Sequence, residues 1–462
     1  MPIDASPSTQ PARSRLAQVN TLIKGNSITA LAFRGSIWIV AGYGTMQALR
    51  LASNLILTRL LVPDDFAVMA IVTAVMQGLM MFSDVGVGPS IIQNKREDRD
   101  FLDSAWTFQL IRGSALWLVC SVLAWPIAVG YGEPALAALL PVAGLAALAQ
   151  GFATTAVHTA NRDLRIGRLT LIHLLGQVIA TATMIVWAVI EPTVWALAAG
   201  GVAGAIATVL LGYALLPAHR PRLRWETDAV RSLFRFGRWI FLSTIVTFLA
   251  KQADQLIFPF LFGLSDLAYY AIATVLVMTV LTVVNKIAGQ IMFPAYARVV
   301  RDHDHDALVK TTRRFALAVA PAYLLPVTMI LFGEALIGLL YDPRWSATGG
   351  MLVLLAAAVH IDMVRASQNG VLLAVGNSRG TMIINTIRLV AWLPTAIGLG
   401  LAYGPLGFCA AQCVGAGAAL ITQRRMTSGV LGDSPGRLDE IFLLVLLAAV
   451  GIKTLRVTGV LP

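Results

Sequence analysis

Long apolar runs separated by short polar gaps make up most of this chain. A helix that crosses a bilayer needs about 20 apolar residues, because the hydrocarbon core is about 30 Å thick and each residue rises about 1.5 Å. The pattern predicts twelve such helices, at 35–60, 66–92, 104–130, 134–157, 168–190, 193–216, 235–262, 267–295, 315–341, 349–375, 380–402 and 404–423. A weaker run at 439–458, interrupted by Lys453 and Arg456, predicts a thirteenth.

The composition excludes a soluble protein. Hydrophobic residues make up 57% of the 462 residues and charged residues only 13%, whereas soluble chains carry about 25% charged residues. The formal charge of +11 does not indicate a nucleic-acid partner, because the basic residues lie in short gaps between apolar runs and form no basic patch on a folded domain. We therefore predict an all-α polytopic membrane protein whose surroundings are the lipid bilayer.

The basic residues also predict the orientation. Counted along the chain, every second gap is rich in Lys and Arg, whereas the gaps between hold almost none, with Arg59 and Arg344 as the exceptions. Because basic loops stay in the cytoplasm, the pattern predicts a cytoplasmic amino terminus, with a disordered tail over 1–30 and no cleavable signal peptide. All outer loops are short, which disfavours a membrane-embedded glycan polymerase or ligase that needs a sizeable outer loop for its catalytic groups.

An internal repeat relates the two halves. A shift of 201 residues brings FRGSIWI (33–39) onto FRFGRWI (234–240), DFAVMAI (65–71) onto DLAYYAI (266–272), and Arg50 onto Lys251. Six helices separate the copies, so both halves point the same way across the membrane. This predicts two six-helix bundles, 31–217 and 232–425, related by a pseudo-twofold axis along the membrane normal, with a substrate site between them. A cytoplasmic linker over 218–231 joins them, and an extra helix follows over 438–462.

Charged residues inside the predicted helices are the candidate functional groups. A charge near the middle of the bilayer costs about 2.5–3.5 kcal/mol on insertion scales, so it normally faces a cavity or a partner. Cations outnumber anions here, which favours an anionic ligand group such as a phosphate. We predict that the cations face a cavity and bind such an anionic group, and that the carboxylates face the same interior. The candidate cations are Arg50, Lys251, Arg365 and Arg388, and the candidate carboxylates are Asp84, Asp254 and Asp362.

Each candidate also has a structural interpretation. Lys251 with Asp254, and Asp362 with Arg365, are spaced three residues apart and can neutralise each other on one helix face. Lys286 and Arg112 can extend to the cytoplasmic headgroups. Arg50 lies about 14 residues, roughly 21 Å, into the first helix from Ser36, and positions 46, 47, 53 and 54 hold no carboxylate. It is therefore the strongest candidate ligand, and its structural alternative is a pair with Asp84 across helices.

No pattern indicates a metal or a cofactor. Cys120, Cys409 and Cys413 lie inside apolar runs, where small apolar filler is the expected role. His303 and His305 have a spacing that suits metal ligands, but they lie among charged residues of a cytoplasmic gap, and no metal site is predicted there. A transport ATPase is excluded, because the chain has no GxxxxGK[ST] phosphate loop.

Four short motifs carry a family resemblance. They are LTRLLVPDDFAV (57–68), SDVGVGPSIIQNK (83–95), ANRDLRIGRL (160–169) and YDPRWSATGGML (341–352). Together they resemble the polysaccharide transport branch of the multidrug/oligosaccharidyl-lipid/polysaccharide exporter superfamily, over about 30–425. One departure is Ala67, where that branch usually has glycine after the Asp-Phe pair.

The resemblance implies a bacterial inner-membrane flippase. Its substrate would be an undecaprenyl-diphosphate-linked oligosaccharide, moved from the cytoplasmic to the periplasmic leaflet for exopolysaccharide, capsule or O-antigen synthesis. The candidate cations would then bind the diphosphate, and the candidate carboxylates would couple transport to an ion. A polysaccharide polymerase and a chain-length regulator are the partners it suggests. The main alternative is a drug/cation antiporter of the same superfamily, which would need an acidic and aromatic cavity. The excess of intramembrane cations argues against it.

Overall fold

The described part of the chain folds entirely into helices. The structure, a computed structural model, describes residues 28–83, 99–163, 165–216, 221–301, 305–431 and 436–457. The helices of the first half are α1 (Ile28–Leu60), α2 (Pro63–Ser83), α3 (Arg99–Tyr131), α4 (Ala135–Gly151), α5 (Ala156–Arg162), α6 (Ile166–Ile190) and α7 (Trp195–Leu215).

The second half follows the same plan with more interruptions. Its helices are α8 (Thr227–Phe262), α9 (Leu264–Ile287), α10 (Phe293–Arg301), α11 (His305–Val319), α12 (Leu324–Leu340), α13 (Thr348–Ala374), α14 (Ser378–Leu431) and α15 (Gly436–Val457). A single π-helical turn, Ala288–Met292, joins α9 to α10, and a 3₁₀ turn, Ala320–Tyr323, joins α11 to α12.

The surface of these helices is apolar, as expected for lipid contact. Among the described residues, nine helices are long and apolar enough to cross a membrane. One of these helices, α14, is interrupted at Gly404, whose φ of 66° lies outside the range of a regular helix. It therefore consists of two apolar segments, where the sequence predicts two spans. Large apolar side chains such as Val122, Ile190 and Leu339 are more than 70% exposed. The all-α membrane fold is thus confirmed, and the number twelve stays a prediction.

The two halves meet at positions that the repeat relates. The Ser265 hydroxyl donates a hydrogen bond of 3.0 Å to Oδ1 of Asp64, and these two residues are 201 positions apart. Under a twofold axis, equivalent positions can touch only where they lie close to the axis. This contact therefore supports a pseudo-twofold axis that passes between the starts of α2 and α9.

The extra helix α15 packs on the second half. The Tyr323 and Phe442 rings stack with centroids 4.2 Å apart, and the ring nitrogen Nε2 of the buried His360 lies 2.9 Å from the Phe442 carbonyl oxygen. Nζ of Lys453 lies 2.8 Å from Oε2 of Glu334 on α12. Lys453, which weakens the apolar run in the sequence, thus has a partner on the neighbouring helix.

The segment that joins the halves is attached to α3. Residues 221–226 are extended and α8 begins at Thr227; residues 217–220 of the predicted linker lie outside the described residues. The backbone N–H groups of every second residue donate to side chains of α3: Arg222 to Asp103 (3.2 Å), Arg224 to Thr107 (3.0 Å) and Glu226 to Ser104 (3.1 Å). Since alternate N–H groups of an extended chain point the same way, one edge of the segment is held by α3.

The attachment of 221–226 can be tested on its acceptors. Replacing Ser104 with Ala and Thr107 with Val removes the acceptors of two N–H groups, at a cost of about 1–3 kcal/mol for each. We expect amide hydrogen exchange in 221–226 to accelerate at least about tenfold, as measured by mass spectrometry. Ser121→Ala is the matched control, because the Ser121 hydroxyl donates to the Trp117 carbonyl of its own helix α3. Unchanged exchange in the double variant would show that these bonds do not hold the segment.

Candidate functional site

A large cavity lies within the first half. It has a volume of about 940 Å³ and is lined by residues of α1 to α7. From the second half, Lys286 is the one described residue that lines it. Most lining positions belong to the helix ends that the charge pattern places towards the cytoplasm, such as Gln150 and His158. The volume is at the upper end of the range of about 300–1,000 Å³ for ligand pockets.

Arg50 projects from α1 into this cavity. Leu60, the last residue of α1, follows Arg50 by ten positions, so Arg50 lies about 15 Å from that end of the helix. Its Nε donates a long hydrogen bond of 3.4 Å to Oε1 of Gln177 on α6. Among the described residues no carboxylate pairs with it. Asp84, its predicted structural partner and a candidate coupling site, lies outside the described residues.

Two further cations line the same cavity. Arg112 on α3 donates from Nε to the Ser83 hydroxyl (3.0 Å) and from Nη2 to the Met80 carbonyl (3.2 Å), so it also holds the end of α2. Lys286 on α9 places Nζ 5.6 Å from the centroid of the Tyr43 ring, which is within the range of a cation–π contact. Lys286 thus connects the two halves at the cavity wall.

The remaining polar lining is neutral or basic. His158, His173, Gln109, Gln150, Gln177 and Thr208 line the cavity, whereas none of the described lining residues is Asp or Glu. Gln109 is held in place by donating to the Gln150 and Ala153 carbonyls at 2.9 and 3.2 Å. The cavity therefore offers positive charge together with amide and hydroxyl groups, a combination suited to an anion that carries sugar hydroxyls.

Arg365 and Arg388 lie elsewhere, in a buried ion cluster of the second half. Nη1 of Arg388 lies 2.8 and 2.7 Å from the two oxygens of Asp362, and Nε of Arg365 lies 3.2 Å from Oδ1. The Asp362 side chain is 2% exposed and each arginine side chain 17%. Neither arginine lines the large cavity. The pairing of Asp362 with Arg365 predicted as the structural alternative is present, and Arg388 joins it from another helix.

Lys251 and Asp254 are not paired with each other. Oδ2 of Asp254 accepts a hydrogen bond of 2.6 Å from the Tyr270 hydroxyl, and Oδ1 accepts one of 2.9 Å from the Gln255 N–H. Gln412 donates to the same Tyr270 oxygen at 3.4 Å. The Lys251 side chain is exposed and does not line the large cavity. Repeat-related positions 50 and 251 thus differ in their surroundings as well as in residue type.

The sequence reasoning missed Arg112, Lys286 and the two histidines as cavity residues. The test that selects Arg50, the absence of a carboxylate three or four residues away, is also met by Arg112 and Lys286. For Arg112 and Lys286, the predicted position near the cytoplasmic side outweighs this test, because a long side chain there can extend to the headgroups. The same test accepts Arg388, whose carboxylate partner lies on α13, so spacing along one helix does not identify cations that pair across helices.

The opposite end of the molecule is closed by contacts between the halves. The Tyr341 hydroxyl donates to Oδ1 of Asn54 at 2.9 Å, and the Trp345 indole N–H donates to the Thr58 carbonyl at 3.2 Å. Trp345 is fully buried and meets the Phe66 ring edge to face at 5.4 Å. Tyr131 on α3 also donates to the Leu256 carbonyl at 2.9 Å. These contacts lie at the helix ends that the charge pattern places away from the cytoplasm.

Comparison with known proteins decides the family. A family model described as polysaccharide biosynthesis protein matches residues 56–348, which is more than half of the chain. The chain belongs to this family. The resemblance of the sequence motifs to the polysaccharide transport branch is thereby confirmed.

Two relatives of this chain have descriptive names. The succinoglycan biosynthesis transport protein ExoT of Rhizobium meliloti (strain 1021) is 23% identical over 64% of this chain, and the match spans 62% of ExoT, less than two thirds of its length. The lipopolysaccharide biosynthesis protein WzxC of Escherichia coli (strain K12) is 21% identical over 79% of this chain and 72% of WzxC.

A solved structure shares the fold. The lipid II flippase MurJ, in an inward closed conformation, matches with a TM-score of 0.62 and 14% identity, over 91% of this chain and 98% of MurJ. At that identity the likeness establishes the fold of this family member, and it carries no statement about what the chain binds.

From the buried ion cluster we predict the effect of a substitution on the stability of the protein. Asp362→Ala would leave Arg365 and Arg388 without their carboxylate, and breaking such a buried pair costs about 3–5 kcal/mol. We expect a lower midpoint of thermal unfolding in detergent and less protein in the membrane. Glu334→Ala, which breaks the more exposed pair with Lys453, should cost at most about 1 kcal/mol. Equal stability of the two variants would contradict the assignment of this cluster to structure.

Proposed function

We propose that this protein is a flippase that moves a polyprenyl-diphosphate-linked oligosaccharide across the bacterial inner membrane by alternating access. The single observation that carries the proposal is the cavity, in which Arg50, Arg112 and Lys286 meet with no carboxylate among the described lining residues. A diphosphate brings the negative charge that this lining lacks, and guanidinium binds phosphate oxygens through paired hydrogen bonds. The names of ExoT, a succinoglycan biosynthesis transport protein, and WzxC, a lipopolysaccharide biosynthesis protein, support a glycan substrate.

The geometry supports loading from the cytoplasm. The cavity is built from helix ends that the loop charges assign to the cytoplasmic side, and contacts around Trp345 close the outer end. In this state the diphosphate and its first sugars enter the cavity, while the lipid tail stays in the bilayer. Breaking the outer contacts and closing the inner ends would then present the headgroup to the periplasm. The proposed location is the inner membrane, with a cytoplasmic amino terminus.

The protein would carry out no covalent chemistry on the glycan. Transport requires only binding and release, and a polysaccharide polymerase with a chain-length regulator would act on the product in the periplasm. A glycan polymerase or ligase is the less favoured alternative, as it would need an acid or base beside the substrate. A drug/cation antiporter is disfavoured for a related reason, because a cationic drug would need the carboxylates that the described cavity lining lacks.

Of the candidate carboxylates, Asp254 is the best proposal for ion coupling. Asp362 is held by two arginines, so a proton or a cation would have to displace them. Asp254 accepts hydrogen bonds from a neutral hydroxyl and a backbone N–H, and Arg388, whose Nη1 donates to Asp362, lines the same small pocket as Asp254 without a hydrogen bond to it. Asp254 lies in the second half, whereas the cavity lies in the first. Ion binding at Asp254 would therefore act on the cavity through the relative positions of the two halves.

Asp254→Asn tests this coupling. The amide keeps an oxygen for the Tyr270 hydroxyl and removes the charge, so we expect flipping in proteoliposomes to become insensitive to imposed proton or sodium gradients while passive exchange persists. Glu191→Gln is the control, because Glu191 is an exposed carboxylate at the end of α6 in the first half, outside the proposed coupling site. Acceleration of the Asp254→Asn protein by a gradient to the same extent as the wild type would reject Asp254 as the coupling site.

Arg50 provides the direct test of the substrate site. Arg50→Ala should abolish glycan export without loss of protein, because hydrogen bonds to a charged group contribute about 1.5–3 kcal/mol, or about a ten- to hundredfold change. Arg50→Lys should retain part of the activity, as an ammonium is a point charge. The measurements are surface glycan and immunoblotted protein in cells lacking the native copy. Arg59→Ala, at the outer end of the same helix, is the matched control.

The structural alternative makes the opposite prediction. If Arg50 pairs with Asp84, Arg50→Ala should lower the abundance of the protein, and Asp84→Ala should restore it by removing the orphaned charge. A normally abundant and fully active Arg50→Ala protein would contradict both interpretations.

A further inference from the structure

Two of the glycines described in the cavity wall are not required by packing: at Gly212 a Cβ would make an ordinary contact of 3.6 Å with Cγ2 of Thr154, and at Gly201 it would have open space. The described residues place six glycines there, namely Gly113, Gly151, Gly176, Gly201, Gly204 and Gly212. A Cβ at Gly176 would lie 2.2 Å from Oγ1 of Thr208, and one at Gly204 would lie 2.7 Å from Cβ of Ala180. Gly113 and Gly151 face each other too closely for side chains. A Cβ at Gly201, by contrast, would have no atom within 4 Å.

Gly201 lies at the deep end of the cavity. It belongs to the cavity-lining face of α7, which comprises positions 201, 204, 205, 208, 209 and 212, the spacing of one helix face. Since α7 begins at the outer side, position 201 is the deepest of these, about 4.5 Å beyond the level of Gly204. The neighbouring lining positions on α6 are Ala180 and Met184. Their small or flexible apolar side chains leave this end uncharged.

The cavity has two parts, one beside the cations and the other the deep end at Gly201. Arg50 and its partner Gln177 lie near the level at which Gly204 packs on Gly176. A diphosphate bound there would direct its sugars either back to the mouth or into the deep end. The deep end has apolar walls that suit the C–H faces of a sugar, with the Gln177 and Thr208 groups at its rim for hydroxyls.

We propose that Gly201 is a specificity-determining residue that sets the largest glycan headgroup the cavity accepts. The inference rests on the proposed flippase function and extends it to the sugar part of the substrate. Because the helix packing does not require a glycine here, a larger side chain would occupy the open space at the deep end of the cavity without displacing α6. It would therefore exclude long glycans before it affected the diphosphate contacts of Arg50.

The test attaches a side group to position 201 after the protein has folded, so that the added group cannot interfere with folding. Gly201→Cys is purified in a Cys413→Ser background, since Cys120 and Cys409 are buried and Cys413 only partly so. The protein is reconstituted and modified with either a methyl-sized or a benzyl-sized thiol reagent. Gly398→Cys is the matched control, because Gly398 is also exposed on a helix with open space at its Cβ and does not line the cavity.

The substrates are fluorescent undecaprenyl diphosphates that carry either one sugar or a pentasaccharide. We expect the benzyl group at position 201 to slow flipping of the pentasaccharide at least about tenfold, or about 1.4 kcal/mol in the barrier, and to leave the one-sugar lipid nearly unchanged. The methyl-sized group and the Gly398→Cys protein should affect neither. An equal loss for both lipids, or no loss for the pentasaccharide, would overturn the role of Gly201. A wild-type protein that flips neither lipid would instead refute the proposed function.

Discussion

The cost of a charge inside a bilayer determines how this molecule is arranged. A cation at membrane depth must be paired with a carboxylate or must face a water-filled space, because an isolated charge in hydrocarbon costs several kcal/mol. The chain uses both solutions. Arg365 and Arg388 share the buried carboxylate of Asp362, whereas Arg50 and Lys286 face the cavity and have no described carboxylate partner. The first arrangement stabilises the second half, and the second leaves positive charge for a ligand.

The two solutions, a paired cation and a cation that faces the cavity, also distinguish the two halves that the repeat relates. The backbone plan has been retained, and the contact of Asp64 with Ser265 shows repeat-related positions meeting between the halves. The charges have diverged: Arg50 lines a cavity in the first half, and Lys251 at the related position does not. In the proposed cycle the first half holds the headgroup. The second half contributes Lys286, the buried ion cluster and the carboxylate of Asp254.

Much of the fold follows from patterns along the chain. Apolar runs predict the helices, and the break expected near residue 403 is present at Gly404, because a positive φ interrupts a regular helix. Arg50 could be selected from the sequence, because the test for a carboxylate three or four residues away needs only the residues of its own helix. Other features depend on distant residues: Asp362 and Arg388 are 26 positions apart, and Arg222 binds a side chain 119 positions away. Contacts of that kind have no periodic signal in one sequence.

The central claim is that the cavity binds a lipid-linked diphosphate through Arg50, Arg112 and Lys286. It is tested most directly by native mass spectrometry of the purified protein with polyprenyl diphosphate and with the uncharged polyprenol of equal length. The account predicts that the diphosphate binds at least about tenfold more tightly, a difference of about 1.4 kcal/mol or more, and that Arg50→Gln removes most of this preference. Equal affinity of the wild-type protein for the two lipids would contradict it.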